Sequence, residues 1–198
     1  MQSLGKFLSA ALLVALALAA PAALRAQPAP APAPATPAPA TPDAKEPFGQ
    51  EVTLTAKPIV YLKGTATWDT AFDTLVDSFK QVYTFLDRQG AKPAGPAMTI
   101  YTASDDTGFE FQAAVPLAEP LKDPPQGDLT TGTSPEGKAY KFVHRGSYDT
   151  LDGTYDAITH YLDENKLEAR DLYIEQYATD LLTTAEDKLV IEVLVPVK

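Results

Sequence analysis

Apolar residues recur in this chain at two spacings, and each spacing predicts a type of element. From about residue 70 to 89 they lie three or four residues apart, which is typical of a helix with one buried face. A second segment with this spacing starts at Asp149 or Thr150. Runs rich in β-branched and aromatic residues predict strands near 59–62, 96–103, 109–117, 140–145, 171–179 and 188–197. The order strand, helix, strand, strand is therefore predicted twice.

The two halves align at a constant offset. Helix positions 75, 79, 82 and 86 lie 76 residues before positions 151, 155, 158 and 162. The same offset continues into the next strand, where Thr99 corresponds to Glu175 and Tyr101 to Tyr177. A constant offset across two elements indicates a duplicated supersecondary unit. We predict an α+β fold of two repeats, about 50–117 and 136–198. Two antiparallel sheets would face each other across a central cleft, with a helix packed on the outside of each.

One strand of the second repeat carries a charge that the first repeat lacks. Alternation along a strand sends Tyr173, Glu175 and Tyr177 to one face and Ile174 to the other. Because the face of Ile174 is apolar, we expect it to receive the helix, and the face of Glu175 to line the cleft. Tyr101 from the first repeat, together with Tyr173 and Tyr177, would then surround the carboxylate.

An aromatic cleft with one carboxylate suits an organic cation, because ring faces and a negative charge both attract positive charge. In the first repeat, Thr99 occupies the position that corresponds to Glu175, so it is also a candidate cleft residue. Trp68, the only tryptophan, is a candidate lid over the cleft. The alternative is that Glu175 is an ordinary solvent-facing strand residue between two half-buried tyrosines.

The N-terminus has the layout of a secretory signal peptide. Lys6 precedes an apolar run, and small residues lead to a cleavage motif that ends at residue 26. An uncleaved membrane anchor is the alternative. Residues 27–49 are rich in alanine and proline, which predicts a semi-rigid linker. We therefore expect residues 50–198 to be the folded domain of a periplasmic or secreted protein, without a membrane segment in its mature form.

Charge and composition exclude several functions. Removing residues 1–26 takes away two basic side chains and no acidic one, which changes the net charge from −10 to −12. Such a surface repels nucleic acid. The chain has no cysteine, and its two histidines, His144 and His160, fall on different predicted elements, so we predict no metal site and no cofactor. The oligomeric state has no signature in the sequence.

Three short motifs occur in the second repeat: Gly146-Ser147-Tyr148 before the helix, Glu175-Gln176-Tyr177 in a strand, and Val195-Pro196-Val197 near the end. Their order and spacing resemble the GyrI-like, or bacterial transcription-activator effector-binding, domain family, which is similar in fold to the SOUL haem-binding proteins. The resemblance implies a cleft between two repeats. It also implies that Glu175 is a pocket glutamate that meets cationic ligands, and that Tyr148 and Tyr177 are pocket aromatics.

Three functions follow from these observations. The first is binding of an amphipathic, cationic small molecule by a secreted form of the family that lacks a DNA-binding domain. The second is hydrolysis of an electrophilic small molecule, as in some family members, with Glu175 as general base and Tyr148 as acid. The third is an envelope interaction module whose cleft is filled by its own side chains.

Overall fold

The computed structural model describes residues 47–125 and 127–198; the predicted signal peptide and most of the predicted linker lie outside these ranges. The helices are α1 (Ala71–Gln89) and α2 (Leu151–Glu164). The strands are β1 (Gln50–Leu54), β2 (Pro58–Thr67), β3 (Met98–Ser104), β4 (Gly108–Pro116), β5 (Leu129–Thr133), β6 (Gly137–Arg145), β7 (Tyr173–Tyr177) and β8 (Val190–Pro196). Short 3-10 turns precede both helices and β8.

The helices form where the apolar spacing predicts them. On α1, Leu75, Phe79 and Val82 are fully buried on the face that the spacing defines. Gly90 then ends the helix with a φ of 62°, a left-handed conformation that glycine adopts without a steric penalty. Between residues 47 and 198, the described helices are too short or too polar to cross a bilayer. Each helix buries the apolar residues of one face and exposes the opposite face.

All eight strands join one antiparallel sheet in the order β1-β6-β8-β7-β3-β4-β2-β5. The order is symmetric about its centre, where β3 of the first repeat pairs with β7 of the second. Thr99 lies directly opposite Glu175, its counterpart in the other repeat. The pseudo-twofold axis of the duplication therefore passes between these two residues.

The outer strands are exchanged between the repeats. β1 pairs with β6 of the second repeat, and β5, which lies just before the predicted start of the second repeat at residue 136, pairs with β2 of the first. Neither strand was predicted, because both are short and largely polar, as edge strands often are. The end of the predicted linker also contacts the fold, since the ring centroid of Phe48 lies 4.9 Å from that of Phe142.

The α+β class and the antiparallel, duplicated organisation are confirmed. The repeats do not form two facing sheets, however, because pairing of β3 with β7 joins them into one. The helices also lie on the other face from the one predicted: Phe79 of α1 packs edge-on against Tyr177, with 5.4 Å between ring centroids. Ile174 belongs to a separate small cluster on the opposite face.

The neighbouring strands β4, β6 and β8 explain this choice of face. On the side of Tyr177 they contribute large apolar residues to the main core, including Phe111, Phe142 and Val193. The helices bury more apolar surface there than on the side of Ile174, and burial of apolar area drives packing. The helices and the Glu175 carboxylate consequently share one face of the sheet.

Candidate functional site

Glu175 lies at the centre of the sheet, beneath the helices. It occupies the middle of the short strand β7 and is 1% exposed. The ion pairs found among residues 47–125 and 127–198 do not include Glu175. A carboxylate buried without a cation is costly unless hydrogen bonds replace its hydration. Its surroundings must therefore supply donors.

Tyrosine hydroxyls supply these donors. Tyr155 of α2 donates to Glu175 Oε1 at 2.9 Å. Tyr148, in the turn before α2, donates to Oε2 at 3.2 Å, and Tyr177 donates to the same oxygen at 3.3 Å. The carboxylate thus accepts hydrogen bonds from the helix region and from its own strand, and it is held by neutral groups.

A second layer of hydroxyls supports the first. The Tyr101 hydroxyl lies 2.8 Å from that of Tyr148, and Thr99 Oγ1 lies 2.7 Å from the Tyr177 hydroxyl. A hydroxyl has one proton, so Tyr148 and Tyr177, which donate to the carboxylate, accept from Tyr101 and Thr99. All of these O–H dipoles then point toward Glu175, and such chains polarise one another.

Burial and hydrogen bonding act in opposite directions on the pKa of Glu175. Burial raises the pKa above its ordinary value, while the surrounding tyrosine hydroxyls, whose dipoles point toward the carboxylate, lower it, and the net shift is upward. Burial, and then the charge of Glu175, raises the pKa of each of these tyrosines well above the usual range. The tyrosines therefore remain protonated donors, and the negative charge of an ionised Glu175 stays uncompensated.

Replacing Glu175 by glutamine should change how stability depends on pH. Because the pKa of Glu175 is raised in the folded state, the native protein holds this proton more tightly than the unfolded chain. The contribution of Glu175 to stability is therefore complete at low pH and is lost as pH rises through the raised pKa. In urea denaturation, the free energy of unfolding of Glu175→Gln relative to wild type should increase with pH; a difference that is flat or falls with pH would contradict this.

A cavity of about 580 Å³ opens beside the carboxylate. Its walls are mostly aromatic and apolar, with polar groups at few positions. The residues that line it are Trp68, Ala71, Tyr101, Ser104, Tyr148, Asp149, Leu151, Asp152, Tyr155, Tyr173 and Glu175. Trp68 is 50% exposed and is fixed by a hydrogen bond from its Nε1 to the Asp105 carbonyl (2.8 Å) and by a tilted ring contact with Phe109. In this structure Trp68 is an anchored wall of the cavity.

The structure brings most of the predicted site residues together. Five of them line the cavity: Glu175, Tyr148, Tyr173, Tyr101 and Trp68. Thr99 and Tyr177 do not, because they lie behind the carboxylate and act on it through the hydroxyl chain. The prediction missed Tyr155, Asp149 and Asp152. Tyr155 had one detectable signal: it places a polar hydroxyl where the first repeat has Phe79.

His144 has a structural role. It is 5% exposed, with Nε2 lying 3.1 Å from the carbonyl oxygen of Ser147 and Nδ1 2.7 Å from Thr154 Oγ1. Both ring nitrogens thus help to hold α2 against β6. Within the part of the chain that the structure describes, no group of three acidic, histidine or cysteine side chains is placed to hold a metal ion.

A buried carboxylate beside an aromatic cavity, on a duplicated antiparallel sheet covered by two helices, defines a small-molecule-binding domain of the effector-binding class. The family of GyrI-like small molecule binding domains matches residues 50–198, and the chain belongs to this family. No curated protein matches it.

Solved structures share the fold at low sequence identity. EcmrR in a complex with DNA has a TM-score of 0.65 and 13% identity to this chain. The match covers 76% of this chain and 57% of the EcmrR chain. SAV2435 bound to tetraphenylphosphonium has a TM-score of 0.54 and 16% identity, covering 76% of this chain and 93% of that one. A hydrolase encoded by lin2189 from Listeria innocua has a TM-score of 0.54 and 11% identity, covering 76% and 92%. These similarities support the fold.

Proposed function

We propose that this protein binds an amphipathic organic cation in the cavity beside Glu175. The observation that carries the proposal is a buried carboxylate that faces an aromatic cavity and forms no ion pair within the described residues. A carboxylate offers about four acceptor positions, and tyrosine hydroxyls occupy three of them. A cationic ligand would supply the missing positive charge.

The walls of the cavity suit the apolar part of such a ligand. Tyr101, Tyr148, Tyr155 and Tyr173 present aromatic surface around Glu175, and Trp68 adds more at the exposed side. Aromatic faces attract cations, and this attraction strengthens when the cation is desolvated. SAV2435, which shares the fold, was solved with the lipophilic cation tetraphenylphosphonium bound. This neighbour supports the proposal by analogy of fold.

The test compares two ions of the same shape and opposite charge. Tetraphenylphosphonium and tetraphenylborate both present four phenyl rings around a charged centre. We expect the cation to bind measurably and at least tenfold more tightly than the anion in calorimetric titrations, with a change in Trp68 fluorescence as a second signal. Equal affinity for the two ions, or binding of neither, would contradict the proposal.

Hydrolysis is the second candidate function. Tyr148 donates to Glu175 Oε2 at the wall of one cavity, which places a potential acid beside a potential base. A hydrolase from Listeria innocua also shares the fold. Turnover of a cyclopropane-containing electrophile that is lost in Glu175→Gln would favour this function over binding alone. The third candidate, an interaction module with a filled cleft, has less support because the cavity beside Glu175 remains open.

We also propose that the domain acts in the periplasm or outside the cell. The support is the signal-like sequence of residues 1–26 and the alanine- and proline-rich linker that follows. Mass spectrometry of the protein recovered from the periplasmic or secreted fraction should give an N-terminus at residue 27. Recovery of uncleaved chain from the membrane fraction would indicate the anchor instead.

A further inference from the structure

We infer that the preferred ligand is a dication, with a hydrophobic cationic centre beside Glu175 and a second, hydrophilic cationic group near Asp149 and Asp152. This inference rests on the proposed function, since it concerns the same cavity. It adds a chemical class of ligand and a role for two residues at the mouth of the site.

The charges that line the cavity are all negative. Glu175, Asp149 and Asp152 are its three ionisable carboxylates, and the described residues that line it include no lysine, arginine or histidine. The carboxylates differ in environment: Glu175 is 1% exposed, whereas both aspartates are exposed. The cavity therefore combines one desolvated negative charge at its floor with two hydrated ones at its mouth.

The helix dipole explains why aspartates occur at the start of α2, but it does not explain why their side chains line the cavity. Asp149 lies in the 3-10 turn before α2, and Asp152 lies in the first turn of α2. The helix dipole favours negative side chains at this end of a helix. That preference is satisfied by any orientation at the first turn. Here both side chains line the cavity, and the charge of Asp152 contributes to raising the pKa of the Tyr148 hydroxyl.

These contacts also limit the separation of the two cationic groups. Tyr148 donates directly to Glu175 at 3.2 Å, and its neighbour in the chain, Asp149, lines the same cavity, so one tyrosine connects the floor of the cavity to its mouth. A short flexible arm is enough to span this distance. The buried charge favours a cation with an apolar shell, and the exposed charges favour a hydrated ammonium group.

The size of the expected effect follows from exposure. Ion pairs between exposed groups contribute little, and salt screens them. We therefore expect a second cationic group to increase affinity about threefold to tenfold at low ionic strength. Salt should reduce this gain more than it reduces the affinity of the monocation, because only the buried carboxylate is shielded from solvent.

The test uses two ligands that differ by one amine. Propyltriphenylphosphonium carries one positive charge, and 3-aminopropyltriphenylphosphonium carries a second at neutral pH. Both are titrated calorimetrically into wild-type protein and the double variant Asp149→Asn/Asp152→Asn. We expect the dication to bind more tightly to the wild type, and the two ligands to bind equally to the variant. The readout is the ratio of the two affinities, because the monocation lacks the second positive group.

A matched variant separates the cavity from the overall charge. Asp156→Asn/Asp163→Asn removes two exposed carboxylates from the same helix, and neither residue lines the cavity. It should retain the preference for the dication. An equal loss of preference in both double variants would overturn the inference, because the gain would then come from net charge. Equal affinities in the wild type would also overturn it while leaving the proposed function intact. Binding of neither ligand would contradict both, and thermal melts verify that each variant is folded.

Discussion

Replacing Glu175 by glutamine is expected to weaken tetraphenylphosphonium binding at least tenfold, or about 1.4 kcal/mol. Glutamine has nearly the same size as glutamate and keeps a carbonyl oxygen that can accept from a tyrosine hydroxyl. It has no charge, so the attraction between a buried carboxylate and a desolvated cation is lost. That attraction is strong because the effective dielectric around Glu175 is far below that of water.

The aromatic walls should preserve part of the binding. Tyr101, Tyr148 and Tyr173 still offer ring faces in the variant, so we expect weakened rather than abolished affinity for the cation. Affinity for tetraphenylborate should remain equal or increase, because the repulsion from Glu175 disappears. A change in the ratio of the two affinities is therefore the most specific readout of this substitution.

Glu192→Gln is the matched control. Glu192 lies on the neighbouring strand β8, opposite Gln176, and bonds to Lys141 on the other face of the sheet. Its substitution removes the same charge without touching the cavity. Tetraphenylphosphonium affinity should stay within about twofold of wild type, within the usual small effect of a remote charge. If Glu175→Gln also stays within this range, the carboxylate is not the recognition group.

Replacing Phe79 by alanine is expected to lower the free energy of unfolding by about 3–5 kcal/mol. The side chain is fully buried on α1 and packs edge-on against the Tyr177 ring. Its removal deletes apolar contact and leaves a cavity directly behind the tyrosine that donates to Glu175. Urea denaturation followed by circular dichroism measures the effect.

Thr84→Ala on the same helix is the reference for this experiment. Thr84 is exposed, and alanine has the higher helix propensity, so the stability should change by no more than about 0.5 kcal/mol. A loss below about 1 kcal/mol for Phe79→Ala would mean that α1 is not packed on the Glu175 face. Ligand affinity of the same variant, measured where it is still folded, would report how strongly Tyr177 depends on this support.

The repeat and its helices could be predicted from the sequence because both depend on the local spacing of residues. A constant offset of 76 residues identified Thr99 and Glu175 as counterparts, and the structure pairs them across β3 and β7. Strand alternation also placed Tyr173, Glu175 and Tyr177 on one face, where Glu175 and Tyr173 line the cavity. These features are properties of single elements or of pairs related by the duplication.

The features that sequence reasoning missed depend on several elements at once. The helices pack on the Glu175 face because β4, β6 and β8 supply Phe111, Phe142 and Val193 to it, and the pattern of β3 and β7 does not reveal this. Tyr155 was counted only as an apolar helix position, yet its hydroxyl extends from the buried face of α2 to the carboxylate. The exchange of β1 and β5 is likewise set by long-range pairing.

The placement of Thr99 opposite Glu175 has a consequence for the origin of the domain. An ancestor built from two identical subunits would have carried the same residue on both sides of its twofold axis. Two glutamates there would be direct cross-strand neighbours, and like charges at that spacing repel. In a single chain that contains both copies, the two positions can differ, so that one carries a hydroxyl and the other the acid. A solitary charge at the centre of symmetry is thus attainable by a fused chain and unattainable by a homodimer.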